Sequence, residues 1–182
     1  GIEHAAGLSL SEQAEKVYEE YLFSCCDLED CLPVYFDPQN NGFPMVEFHN
    51  LRECLEGLTW LYKRRNSQRA KRVIDGFLDT LLNLTNWETG CYDVSLLKNL
   101  PQEKQKKFER IGLPLPMGQG RLVGPLMLYY LASGDLRALR LAEAYAQSTM
   151  QLCFSPEGLI RSISANHVHS ITSTLSGVLF FA

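Results

Sequence analysis

The chain lacks an excess of basic charge, an apolar run long enough for a bilayer, and any cysteine pairing pattern. Each absence removes a class of function. Lys and Arg number 17 against 21 Asp and Glu, leaving a net charge of -4, so no positive field is available to collect nucleic-acid phosphates. The longest apolar stretch, Leu122 to Ala132, is interrupted by Gly124 and Pro125 and falls well short of the ~20 residues that a membrane helix needs. The six cysteines (Cys25, Cys26, Cys31, Cys54, Cys91 and Cys153) form no Cys-x-x-Cys pair and have no histidine at finger-like spacing. That speaks against a zinc site and against a disulfide scaffold. Cys54 and Cys153 fall on periodic apolar faces, where a thiol behaves as a small hydrophobe, as in the core of a cytosolic protein. No metal or other cofactor is expected. The N-terminus, Gly1-Ile2-Glu3-His4, has neither a starting Met nor a basic-then-apolar signal pattern, so the location of the protein cannot be read from it. Asn83-Leu84-Thr85 matches a glycosylation acceptor, but it falls near a helix end.

What the chain does have is internal repetition. Leu55 to Tyr92 can be laid over Val123 to Ile160 without a gap, at a shift of 68 positions. Leu58 then meets Leu126, Tyr62 meets Tyr130, Arg69 meets Arg137, Ala70 meets Ala138, Arg72 meets Arg140, Leu84 meets Leu152 and Gly90 meets Gly158, while Phe77 is paired with Tyr145. Turn residues and glycines coincide as well, which a shared backbone requires. A third copy opens at His169, where His-Ser-Ile-Thr-Ser-Thr-Leu-Ser-Gly resembles the stretch from His49 to Gly57 at a shift of 120. Ala14 and Glu15 match Ala142 and Glu143, so the chain is expected to open on the second helix of an earlier copy and to be cut at both ends.

The periodicity predicts helices throughout. Ser11 is placed to cap a first helix that buries Val17, Tyr18, Tyr21 and Leu22 and ends near Cys26. Asp27 to Pro44, with Pro33, Pro38, Gly42 and Pro44, reads as a long ordered loop. Leu51, Leu55, Leu58, Leu61 and Tyr62 form one helical face, and Ala70, Val73, Ile74, Phe77, Leu78 and Leu81 form another across a turn at Asn66-Ser67. The second hairpin repeats this around Ser133-Gly134-Asp135, with Asp135 as cap. The basic cluster Lys63, Arg64, Arg65, Arg69, Lys71 and Arg72 sits at the first of these turns and reads as a solvated helical turn. The expectation is a single all-α domain of helical hairpins, with tight turns inside each hairpin and long loops between them. Elaboration of one rim only favours a closed toroid over an open superhelix.

Equivalent points of stacked copies share a level, so residues just ahead of each first helix should gather on one rim. They are polar: Glu47, His49 and Asn50 in one copy, Gln119 and Arg121 in the next, and Asn166, His167, His169 and Ser170 in the third. His167 and His169 stand two apart and do not face each other on a helix, so chelation would require extended backbone, and hydrogen bonding to a polyhydroxylated ligand is the better reading. A sugar site also needs aromatic surface, for which Tyr35, Phe36, Phe43 and Phe48 are candidates while Trp60 reads as core. Carboxyl groups for glycoside cleavage would come from Asp37, Glu47 or Glu53. The resulting assignment gives Glu47, His167 and His169 catalytic roles and makes His49, Gln119 and Arg121 contacts to a carbohydrate.

The segment Gly112 to Leu126, the run Tyr129 to Leu139 and the end Asn166 to Leu175 together resemble uncharacterised bacterial members of the six-hairpin glycosidase superfamily, related to beta-L-arabinofuranosidase-type proteins. The resemblance covers most of Asp27 to Ala182. It implies an (α/α)6 toroid, of which this chain supplies roughly half, and a glycoside hydrolase-like activity. A sugar epimerase or isomerase on the same scaffold, or a non-catalytic helical-repeat module, are the other readings. The cysteine nucleophile beside a cysteine-rich zinc site of those arabinofuranosidases is not carried over, because no glutamate-plus-three-cysteine cluster accompanies Cys25 and Cys26. Missing repeats, or a second copy, would cover the apolar surface of the cut ends.

Overall fold

A computed structural model describes residues 12–26, 31–37, 43–99, 102, 115–161 and 168–182. The order is α1 (Glu12–Ser24), the strands β1 (Tyr35–Asp37) and β2 (Phe43–Met45), α2 (Phe48–Arg65), α3 (Gln68–Asn83), the strands β3 (Thr85–Asn86) and β4 (Cys91–Tyr92), and a 3-10 helix at Val94–Asn99. There follow α4 (Leu115–Gly120), α5 (Val123–Ser133), α6 (Leu136–Cys153) and α7 (Val168–Phe181). Each strand pair is a small antiparallel ladder, so the molecule is mostly helical, in agreement with the all-α expectation. Among the described residues no helix is long and apolar enough to cross a membrane.

The two hairpins, α2–α3 and α5–α6, use the same backbone devices at the same offset. Asn66 and Gly134 end their first helices in the left-handed conformation, with φ of 51° and 72°, which Asn and Gly tolerate at least cost. Ser67 and Asp135 then cap the second helices: Ser67 Oγ accepts from the Ala70 N–H and the Asp135 carboxylate from the Arg137 N–H. Gly90 and Gly158 again match, with φ of 66° and 81°. The interior repeats too, since Leu58, Leu126, Ala70, Ala138, Phe77 and Tyr145 are all fully buried.

These pieces pack as two layers. The first helices α2, α5 and α7 lie next to one another, with α5 in contact with both of its neighbours, while α3 and α6 pack behind them and against each other. One continuous core runs between the layers from Leu22 to Ala146, where each fully buried Leu or Phe contributes about 1.5–3 kcal/mol. The α5–α7 crossing is made close by glycine. A β-carbon added at Gly177 would stand 2.7 Å from the backbone nitrogen of Gly124.

Four expectations are corrected. Val17 and Tyr21 are 65% and 69% exposed, and α1 buries only Glu15, Leu22 and Phe23, because it meets α2 along one edge. That helix ends at Ser24, close to Cys26 as expected, and its proposed cap Ser11 lies outside the described residues. The region read as loop before Pro44 contains the β1–β2 hairpin. The basic turn is solvated only in part, since Arg64 at 3.2 Å and Arg65 both pair with Glu15, whose side chain is 7% exposed. A buried carboxylate requires such neutralisation. Trp60 is half-buried rather than core, with Tyr18 edge-on at 6.4 Å and the Arg64 guanidinium over its ring at 5.0 Å.

Candidate functional site

The first helices of two of the copies, α2 and α7, carry a matching polar stripe. On α2 it runs His49, Arg52, Glu56, and on α7 it runs His169, Thr172, Ser173, Ser176, spacings that keep side chains on one helical face. The stripe repeats at the same offset of 120 that relates the two histidines. His49 and His169, the two ends of the sequence argument, do meet: their ring centroids are 6.2 Å apart with planes at 65°. Arg52 ties the same two helices together through Nη1, which donates to Ser173 Oγ at 2.6 Å, while its Nε donates to Glu53 at 3.1 Å.

Below the histidines lies an open cleft of about 720 Å³. Its polar wall consists of Arg52, Glu56, Arg121, His169, Ser173 and Ser176, and Pro125, Leu128, Leu179 and Phe180 supply an apolar side. A few convergent polar groups on an apolar wall is the usual make-up of a small-molecule site. Arg121 enters it from the turn between α4 and α5. Its Nη2 donates to Ser170 Oγ, and among the described residues its buried Nε has no hydrogen-bond partner. Burial, followed by the nearby Arg52 cation, holds its pKa below the ordinary arginine value, which signals a cation short of compensating negative charge. Glu56 is displaced the other way. Burial first and Glu53 second raise its pKa above the usual carboxyl value, against an opposing pull from Arg52. A carboxyl shifted upward in a cleft can remain protonated where an ordinary one has ionised, and so can deliver a proton.

Of the residues assigned from sequence, His49, His169 and Arg121 are brought together. Gln119 is not available to a ligand. It is fully buried, its carbonyl accepts from the Tyr92 N–H at 2.9 Å, and its amide donates to Ser148 Oγ at 2.7 Å and to the Gly90 carbonyl at 3.4 Å. The flanking glycines explain why it points inward: β-carbons on Gly118 and Gly120 would fall 2.6 Å from Phe48 and 2.6 Å from Thr174. The Gly-Gln-Gly part of the motif is thus a packing wedge joining α4, β4 and α6, and only its arginine reaches the cleft. Phe48 is likewise core rather than a sugar platform, buried with its ring edge-on to Tyr92 at 5.5 Å. Glu47 occupies the cap position of α2 in extended backbone, makes no capping hydrogen bond, and does not line the cleft. His167 and Asn166 lie outside the described residues, as do the side chains of Tyr35, Phe36, Asp37 and Phe43.

Arg52 and Glu56 were missed by sequence reasoning. The available signal was their placement three and seven residues after His49, a polar stripe on a helix otherwise chosen for its apolar face. Among the described residues no group of three or more His, Cys, Asp or Glu side chains is placed to hold a metal ion. Comparison of the chain with protein-family models, with curated proteins and with solved structures returned no match.

Proposed function

We propose that this chain is the hairpin scaffold and part of the active cleft of a carbohydrate-active enzyme, glycoside hydrolase-like, of the six-hairpin type that its motifs resemble. The observation that carries the reading is Glu56, a carboxyl with a raised pKa inside a cleft that also holds an under-neutralised guanidinium and His169, whose ring meets that of His49. Glycosidic cleavage needs a proton donor for the leaving oxygen and a second carboxyl acting as base or nucleophile. Glu56 takes the first role in place of Glu47. Glu53, one turn earlier and ion-paired to Arg52, is the second carboxyl. His49, His169 and Ser173 are suited to ring hydroxyls, and Arg121 to a hydroxyl or a carboxylate of the sugar. In this reading α2, α5 and α7 are inner-ring helices of an (α/α)6 toroid and α3 and α6 belong to its outer ring. Further hairpins, or a second copy, would cover Leu131, Leu136 and Leu179, which stand exposed.

The adjacency of His49 and His169 favours one second reading, an epimerase or isomerase in which the two imidazoles act as acid and base beside a sugar carbonyl. Incubation with a panel of oligosaccharides and aryl glycosides separates the two. Release of reducing sugar or phenol that Glu56→Gln lowers at least ~100-fold supports the hydrolase. Solvent deuterium appearing in an intact sugar, abolished by His169→Ala, supports the epimerase. Neither result across the panel would leave a non-catalytic repeat module.

A further inference from the structure

Away from the cleft, on the opposite side of α2, two cysteines from different elements touch. Cys26 follows the end of α1 and is fixed by a backbone bridge to Pro33, and Cys54 lies in the middle of α2. Their sulfur atoms are 3.5 Å apart and share a hydrogen. Cys54 is buried at 4% exposure, whereas Cys26 is only partly covered. All six cysteines of the chain are thiols in this structure, so the contact is one between reduced side chains. A disulfide needs its sulfurs at about 2 Å, and closing the remaining gap asks for side-chain rotation and a small approach of the chain that follows α1.

We propose that Cys26 and Cys54 form a site of reversible thiol oxidation, at which exchange with a small disulfide of the glutathione class closes a bond between the end of α1 and α2. The partly exposed Cys26 thiolate attacks one sulfur of the small disulfide, breaking its S–S bond and releasing one thiol, which takes up the proton. Cys54 then gives up its proton to solvent and attacks the Cys26 sulfur of the mixed disulfide, and the second small thiol leaves. Two protein thiols are oxidised and one small disulfide is reduced to two thiols, so atoms and electrons balance. The order of attack follows from geometry, because the buried partner cannot be reached first. The same mutual hydrogen bond, together with burial, pushes the Cys54 thiol well above its ordinary pKa. Cys54 therefore waits as a protonated resolving thiol instead of reacting with solvent oxidants.

The bond would matter to the cleft because Cys54 stands between Arg52 and Glu56 on the same helix. The full chain is equilibrated in buffers of graded reduced and oxidised glutathione, alkylated, digested and analysed by mass spectrometry, with a parallel count of free thiols and a thermal melt. Two of six thiols should disappear together, in a linked peptide pair containing Cys26 and Cys54. The oxidised chain should melt higher by roughly 5 °C or more, as closure of a loop of this length implies. Cys54→Ser should stop at the glutathione adduct on Cys26, and Cys26→Ala should retain all of its remaining thiols under the same buffers. A linked pair involving Cys25 instead, an adduct on Cys26 that never resolves in the unsubstituted chain, or loss of any two of the five remaining thiols in Cys26→Ala would each overturn the assignment.

Discussion

Arg69 opens α3 and Arg137 opens α6, at equivalent points of the two hairpins, and Arg69 reaches back to α1 as Arg137 reaches back to α3. They find different company. Arg137 bonds Asp75 at 2.5 Å and Asp79 at 2.7 Å on α3, as well as the capping Asp135 at 2.7 Å. Among the described residues Arg69 has one acid, Glu20 on α1, at 3.9 Å, and otherwise lies over the Phe23 ring at 4.0 Å. Three carboxylates share the geometric work of orienting one guanidinium in the first case. In the second a long exposed pair and a ring face do it, and exposed pairs of that kind contribute little. The same repeat position thus makes a firm joint between α3 and α6 and a loose one between α1 and α3. Nothing in the arginines themselves sets the difference; the acids on the preceding helix do.

The comparison can be broken most severely from inside. Phe77 is fully buried where the second hairpin has Tyr145, and Phe77→Ala is expected to cost about 3–5 kcal/mol by urea denaturation. Phe77→Tyr would test whether the sites are interchangeable. It should cost more than Tyr145→Phe, since it forces a new hydroxyl into an apolar site, whereas removing the Tyr145 hydroxyl leaves Thr85 Oγ1 still donating to the Leu81 carbonyl at 2.7 Å. At the joints, Arg137→Ala should destabilise by roughly 2 kcal/mol because Asp135 and Asp79 lose their cation, while Asp75 keeps Lys71 at 2.8 Å. Arg69→Ala should change stability by less than about 0.5 kcal/mol. Equal losses for the two arginines would show that the acids on α3 do not distinguish the joints.

Acid titration sharpens the same contrast. Hydrogen bonding to Arg137 is the largest influence lowering the Asp135 pKa below the ordinary aspartate value. A carboxyl depressed in the folded state stabilises above its unfolded pKa, near ~3.9, and that contribution drains away as pH falls through the folded value. Melting temperatures of the unsubstituted chain and of Asp135→Asn should therefore converge in acid and diverge by a few degrees above about pH 5. Glu56 has the opposite sign. With its folded pKa raised, stability declines as pH climbs from the unfolded toward the folded value, and Glu56→Gln should remove that decline. This is the smallest of the effects, and a melt profile unchanged by the substitution would count against the proton-donor role.

Features that one residue or one turn decides were legible in the sequence. The shift of 68 placed the turns at Asn66-Ser67 and Ser133-Gly134-Asp135, Asp135 as a cap, and the buried pair Phe77 and Tyr145 correctly, since these depend on local backbone requirements, and the structure adds the left-handed φ of Asn66 and Gly134 and the cap at Ser67. The meeting of His49 and His169 was also within reach, because register within a repeat carries over to register in space. The direction of Gln119 was not. A polar side chain between two glycines reads as a loop facing solvent, and only the proximity of Phe48, Thr149 and Thr174 shows that the glycines are small because neighbours press on them. Val17 and Tyr21 failed for a related reason: apolar spacing marks a face without saying whether anything packs there. Arg52 and Glu56 were overlooked because attention went to residues ahead of each helix, while the stripe continues along it.

The missing side chains at Gly124 and Gly177 have an effect on the cleft they help border. With backbone against backbone, the distance between those two walls is set by main-chain thickness alone, and no rotamer change can relax it. Even one methyl at Gly177 would act as a spacer, pushing α7 outward and moving His169 relative to Arg121 without touching either. The aperture is therefore set where the two backbones touch, at glycines that themselves line the cleft.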